Sequence, residues 1–320
     1  MSYALPISAG SIAEASERVP RELRSSPQFV HEGLSRAAGR PVVVKVETVN
    51  PLRSFKGRGA WLAVAGLVGE GRLGPEREVV VASSGNFGLA VAYAARAFEV
   101  PAVVFAAEAA NPRKVQRIRE MGARVELTGR DFDAAREASQ EHARRSGGLL
   151  LVDAEEPRIT IGAGTIGVEL TASVARDELP ALDTALVPVG NGALIVGLGV
   201  WLRHASPGTR VIGVQAAGAP SMTLSWRAGR PIETDAADTY AGGIATRVPV
   251  PEALELMREV VDDMQLFSDD DLRQAQAELT DALGITVEGS AAASWAAARA
   301  APAGEGSLLI LVTGSHAEVD

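Results

Sequence analysis

Short apolar runs alternate along the whole chain with longer stretches of helical spacing. The runs at 42–46, 78–82, 102–105, 124–127, 149–152, 184–189, 211–215 and 308–312 are mostly continuous. Continuous runs are expected of parallel strands covered on both faces, whereas a strand with one wet face would alternate. Between the runs, Asn111-Pro112 reads as an N-cap with proline at the first helical position. Val115, Ile118 and Met121 then repeat on one face and Gly122 stops the helix. Ser268 and Asp271 approximate a capping box ahead of Leu272, Ala275, Leu279 and Leu283, and Gly284 ends that helix. Strand and helix in alternation predict an α/β fold with two open twisted parallel-rich sheets covered by helices. A glycine-rich loop at 69–74 and a break at 154–157 bracket residues 71–154 as a small α/β domain. It would be inserted into a large discontinuous domain formed by 1–70 and 155–320.

Composition removes whole classes of function. A length of 320 residues suits two domains of about 150 residues each. With 47% hydrophobic and 22% charged residues, the chain is not a disordered one. The net charge is −9 and no basic patch stands out, so no nucleic-acid partner is expected. The absence of cysteine excludes disulfides, thiolate metal sites and cysteine nucleophiles. His31, His142, His204 and His316 are scattered, without the spacing of a metal site. No apolar stretch approaches the roughly 20 residues of a membrane span. The first residues lack the basic and apolar regions of a signal peptide, and a cytoplasmic location is expected.

Three segments carry candidate chemistry. Ser83-Ser84-Gly85-Asn86-Phe87-Gly88 and Gly190-Asn191-Gly192-Ala193-Leu194 each lead from a strand into a helix. Such turns present free N–H groups and a helix dipole to anions. Two of them suit a ligand set with a phosphate and a carboxylate, although glycine in this position also serves packing alone. The third segment is Asn50-Pro51-Leu52-Arg53-Ser54-Phe55-Lys56-Gly57-Arg58-Gly59-Ala60. Glycines at 57 and 59 cost helix stability. A lysine among apolar neighbours becomes a Schiff-base nucleophile or general base, whereas a solvated lysine is the ordinary alternative. Gly162-Ala163-Gly164-Thr165-Ile166-Gly167 matches the dinucleotide fingerprint, but no strand immediately precedes it, so it is set aside. The phosphate-loop pattern of nucleotidases and the GxSxG pattern of serine hydrolases are absent.

At these residues the chain resembles the fold-type II pyridoxal-phosphate enzymes, the tryptophan synthase β-like group. That group includes threonine and serine dehydratases, serine racemase and threonine synthase. The resemblance runs in order through NPLRSFKGRGA, SSGNFG, NPRKVQRIREMGA, GAGTIGVEL, VPVGNGAL, VIGVQ, GGIA, TVEGSAAA and LVTGSH. It implies pyridoxal 5'-phosphate as cofactor, bound covalently by Lys56 and flanked by Phe55. Asn86 would bond the cofactor's 3-oxygen, and Gly190, Asn191, Gly192, Ala193 and Leu194 would cradle its phosphate. Thr313 would face the ring nitrogen, with Glu288 and Gly243 nearby. Ser83, Ser84, Gly85, Asn86 and Phe87 would hold the substrate, with Lys56 and Ser84 catalytic. The implied reaction is α,β-elimination from threonine or serine, giving a 2-oxo acid and ammonia. A homodimer is part of the same expectation.

Several positions depart from the dehydratase pattern. Leu52-Arg53 replaces the usual Thr-Gly, and Arg53 could bind a second anionic group on the substrate or stand solvated. Phe87 replaces a histidine. Gly190-Asn191-Gly192-Ala193 and Thr313-Gly314 lean toward threonine synthase, which keeps a β- or γ-replacement reaction as the alternative; racemisation through Ser84 is a third. Gln215 and Ser221 stand where serine racemase places metal-binding carboxylates, so no metal is expected. No C-terminal regulatory domain is expected after Thr313.

Overall fold

A computed structural model describes residues 6–130 and 132–316. The strands are Gln28–Val30 (β1), Val42–Val46 (β2), Val79–Ala82 (β3), Ala102–Ala106 (β4), Arg124–Leu127 (β5), Leu149–Leu150 (β6), Leu182–Pro188 (β7), Arg210–Ala216 (β8), Asp263–Phe267 (β9) and Ser307–Val312 (β10). The helices are Ala9–Arg18 (α1), Glu32–Ala38 (α2), Lys56–Gly69 (α3), Asn86–Ala97 (α4), Pro112–Glu120 (α5), Phe132–Ser146 (α6), Pro157–Ala175 (α7), Ala193–Ala205 (α8), Ser221–Ala228 (α9), Pro251–Val260 (α10), Asp269–Leu283 (α11) and Gly289–Ala300 (α12). One sheet has the order β1-β2-β10-β7-β8-β9 and the other β5-β4-β3-β6. Every pairing is parallel except β1 with β2.

The continuous apolar runs have a direct physical reading. In β2 and β10, Val43, Leu309 and Leu311 enter one core, while Val42, Val44, Leu308 and Ile310 enter another with Trp295 of α12. Successive strand side chains point to opposite faces, so a strand dry on both sides must be apolar throughout. β3 and β4 divide in the same way: Val79, Val81 and Val104 join the larger core, and Val80, Val103 and Phe105 a smaller one under α6. The expected helix punctuation is present. Asn111 caps α5 by accepting from the Arg113 N–H, Ser268 and Asp271 form a capping box on α11, and Gly284 ends that helix with φ +65°.

The GxGxxG segment lies within α7, where its glycines let helices approach. A Cβ at Gly162 would stand 2.5 Å from the Gly59 Cα, and one at Gly164 would stand 2.8 Å from the Gly197 carbonyl oxygen. Gly59 in turn faces the Ile159 carbonyl oxygen, which a Cβ would meet at 2.5 Å. The helix propensity lost at these glycines, about 1 kcal/mol each relative to alanine, is offset by close packing of α3, α7 and α8.

A buried ionic network sits beneath the start of α3. Arg58 donates from Nε and Nη2 to the two Glu47 oxygens at 2.8 and 2.9 Å, and from Nη1 to Glu169 at 2.7 Å and Thr165 at 3.1 Å. Lys45 donates to Glu169, Gln28 and the Ser26 carbonyl at 2.5, 2.9 and 3.0 Å. Burial alone would raise the Glu169 carboxyl, but the charges of Arg58 and Lys45 outweigh it and hold the pKa at about 2. This network fastens α3 to β2 and α7 just after Lys56.

Candidate active site

Lys56 is the first residue of α3, and its Nζ lies 4.9 Å from the centre of the Phe55 ring. Its polar partner is Asp153, whose Oδ2 accepts at 2.7 Å, so the lysine is not in the wholly apolar setting its neighbours suggested. The second Asp153 oxygen is buried without a partner, and so is the Ser54 hydroxyl. Unpaired buried polar atoms beside a lysine are costly unless a ligand completes them. Asp153 follows β6 and had no motif to mark it; the available signal was an acidic residue at the carboxyl end of a strand.

A chain of contacts brings the predicted segments together. The Phe55 N–H donates to the Thr313 carbonyl at 3.2 Å, and Ser54 bridges Gly314. The Glu288 N–H donates to the Gly314 carbonyl at 3.0 Å. Asn86, at the start of α4, donates from Nδ2 to both Glu288 oxygens at 3.0 and 3.3 Å. This contact joins the strand-and-helix layer of the four-stranded sheet to the N-terminus of α12. Burial raises the Glu288 carboxyl above its ordinary range, although the His316 N–H and Asn86 favour its charged form. A Cβ at Gly314 would stand 2.7 Å from the Glu288 carboxyl carbon, which requires glycine there.

The glycine turn at 190–194 closes against the same group. A Cβ at Gly190 would meet the Gly243 carbonyl oxygen at 2.5 Å, and one at Gly243 would meet the Ser290 hydroxyl at 2.6 Å. Gly192 has φ +99° and opens α8 with no side-chain cap. Gly85 likewise opens α4 with no side-chain cap, while the Ser83 hydroxyl accepts from the Gly85 N–H at 3.2 Å. The first N–H groups of both helices are therefore free for anionic ligands. Ser84 is half-buried in this turn, Phe87 is buried on α4, and Thr313 is buried at the end of β10.

The unpaired Asp153 and Ser54 oxygens, the uncapped turn at Gly192 and the Asn86–Glu288 pair fit a cofactor that carries an aldehyde, a phosphate and a ring hydroxyl. Gln215 accepts through Oε1 from the N–H and hydroxyl of Thr223 while its Nε2 is buried without a partner, and Ser221 donates to the Thr246 carbonyl. Most of the segment 219–226 lies in the helix α9.

Residues 21–314 match the model of the family described as pyridoxal-phosphate dependent enzyme. An L-threonine ammonia-lyase of Geobacter sulfurreducens is 33% identical over 286 residues, which cover 89% of this chain and 69% of that protein. Among solved structures, a threonine deaminase from T.th. superposes with a TM-score of 0.88 at 28% identity, covering 98% of this chain and 99% of the other. Maize serine racemase superposes with a TM-score of 0.89 at 25% identity, covering 99% and 95%. The fold is thus shared by eliminating and racemising relatives, and the family match spans both glycine turns, the lysine segment and the Glu288–Gly314 contact. This chain belongs to the family of pyridoxal-phosphate dependent enzymes.

Proposed function

We propose that this enzyme is an ammonia-lyase that converts a β-hydroxy amino acid such as threonine or serine to a 2-oxo acid and ammonia. The carrying observation is Lys56, placed at the start of α3 and joined through Phe55, Thr313 and Glu288 to Asn86. Similarity to an L-threonine ammonia-lyase and a threonine deaminase supports the choice of reaction.

When bound, pyridoxal phosphate supplies an aldehyde that captures the substrate nitrogen and a ring that withdraws the electron pair left at Cα. The free N–H groups at the start of α8 would hold its phosphate, and Asn86 would hold the ring oxygen. Thr313 would supply a neutral hydroxyl to the ring nitrogen. A hydroxyl does not hold that nitrogen protonated as a carboxylate would, which favours prompt loss of a β-group over a long-lived carbanion. The N–H groups of Ser84, Asn86 and Phe87 would hold the substrate carboxylate. Lys56 Nζ takes the Cα proton, and Asp153 orients Nζ. The family resemblance extends to a cytoplasmic homodimer, and the edge strand β1, with Phe29 and Val30 exposed, offers an apolar border for pairing.

Incubation with threonine, serine and O-phosphohomoserine tests the reaction class. We expect 2-oxobutyrate from threonine and pyruvate from serine. Threonine released from the phosphoester, with no 2-oxo acid from the hydroxy amino acids, would establish replacement instead. A second test addresses the cradle. Gly190→Ala pushes a methyl group into the Gly243 carbonyl, and apparent affinity for pyridoxal phosphate should fall by about tenfold or more. Absorbance titration of the apoprotein measures it; unchanged affinity would remove the 190–194 turn from the cofactor site.

A further inference from the structure

Beside Glu288, α5 carries two cations one turn apart, Lys114 and Arg117. The Arg117 guanidinium contacts His316 Nδ1, and His316 Nε2 lies 3.0 Å from the Leu52 carbonyl. Burial, and then the charge of Arg117, lower the His316 pKa to about 4. The ring is therefore neutral near pH 7: Nε2–H donates to Leu52 and Nδ1 accepts from Arg117. His316 orients the guanidinium without neutralising it. A third cation is Arg53, whose backbone carbonyl accepts from the Ser315 N–H at 3.1 Å. Arg53 lies near enough to disfavour the charged forms of both Arg117 and His316.

Among the described residues, no carboxylate forms an ion pair with Arg53, Lys114 or Arg117. Glu288 and Glu120 act on Arg117 only at longer range. The Glu288 oxygens are already taken by Asn86 and the His316 N–H. Three gathered cations repel one another and do nothing evident for packing, since Arg53 is exposed and the other two are half-buried. None of their atoms is among those nearest a Cβ at Gly190 or Gly192. The atoms nearest Gly190 and Gly192 belong to Gly243, Ile244, Ala253, Met222 and Met257.

We propose that Arg53, Lys114 and Arg117 form a subsite for a second anionic group on the substrate, making the preferred substrate an acidic β-substituted amino acid. The inference rests on the lyase reading and deepens it. A side-chain carboxylate, as in 3-hydroxyaspartate, and a phosphate ester, as in O-phosphoserine, share the required chemistry. In the first case the Cα–H and Cβ–O bonds break, and the proton passes to Lys56 Nζ. The hydroxyl takes up the proton held by Lys56 Nζ and leaves as water, and hydrolysis takes up one water to give oxaloacetate and ammonia. In the second case inorganic phosphate leaves, and pyruvate and ammonia result.

The experiment compares kcat/KM of the holoenzyme for threonine, 3-hydroxyaspartate and O-phosphoserine, in the wild type, Arg117→Gln and Arg117→Lys. Succinate binding by titration calorimetry provides a readout independent of turnover. One of the two dianions should exceed threonine in kcat/KM; which one identifies the anion. Its advantage over threonine should fall about tenfold to a hundredfold in Arg117→Gln, with partial recovery in Arg117→Lys. Succinate affinity should fall in parallel. Preference for threonine over both dianions, or an advantage unmoved in Arg117→Gln, would overturn the subsite while leaving the lyase reading intact. If no substrate yields a 2-oxo acid, the lyase reading fails. The subsite then stands on succinate bound by the wild type and lost in Arg117→Gln, and falls if that binding is absent or unchanged.

Discussion

Lys56→Ala is expected to lose at least about 10³-fold in turnover of threonine or serine while keeping the fold. The reason is the uniqueness of its position. Lys45 is fully buried and committed to Glu169, Gln28 and the Ser26 carbonyl, so it cannot substitute. Asp153 is left without its cation, but its side chain retains 14% exposure, and water can solvate it in place of Nζ. A 2-oxo acid assay and far-UV circular dichroism check the two halves of the expectation. A folded variant that retains about a tenth or more of wild-type turnover would place the proton transfer on another group.

Arg58→Met should have the largest effect on stability. The guanidinium is 1% exposed and spans Glu47, which is fully buried, and Glu169. Removing it strands the Glu47 carboxylate with Lys45 at 3.9 Å as its remaining cation. Breaking a buried pair by deleting one partner costs about 3–5 kcal/mol. For a chain of this size that corresponds to a fall in unfolding temperature of roughly 10 °C, readable by scanning calorimetry. Because α3 begins two residues earlier at Lys56, turnover should fall with stability. A melting temperature within about 2 °C of wild type would mean that the network contributes little to the fold.

Most of the eight strands legible in the sequence are continuous apolar runs, because a strand with both faces covered must be apolar at consecutive positions, as β10 is across Ser307–Val312; the edge strand β5, Arg-Val-Glu-Leu, is the exception. β1 and β9 were not legible for the converse reason. Both lie at sheet edges; β1 has three residues, two of them exposed, and β9 reads Asp-Met-Gln-Leu-Phe. An edge strand needs neither length nor continuous apolarity. Strand ends were equally hidden: the apolar run at 149–152 yields a two-residue β6, because only Leu149 and Leu150 pair with β3.

The site divides along a similar line. Lys56, Asn86 and the two glycine turns stood out because glycines at 57 and 59 cost helix stability beside the lysine, and glycines between a strand and a helix leave N–H groups open to anions. Asp153, Arg58 and His316 carried no such mark. Their importance comes from what the fold sets against them: Lys56 Nζ, Glu47 and Arg117 respectively. Each of those contacts joins residues far apart in the chain or on separate elements, which spacing along a sequence does not encode. The glycines of α7 illustrate the opposite case, a chemically suggestive pattern explained by helix packing against Gly59 and Gly197.

Reduction of the holoenzyme with borohydride, followed by peptide mapping, tests most directly that Lys56 is the residue around which the chemistry is built. The expected result is a single peptide, the one containing Lys56, that gains the mass of the reduced cofactor. Addition at a different lysine, or a protein that takes up no pyridoxal phosphate, would contradict it.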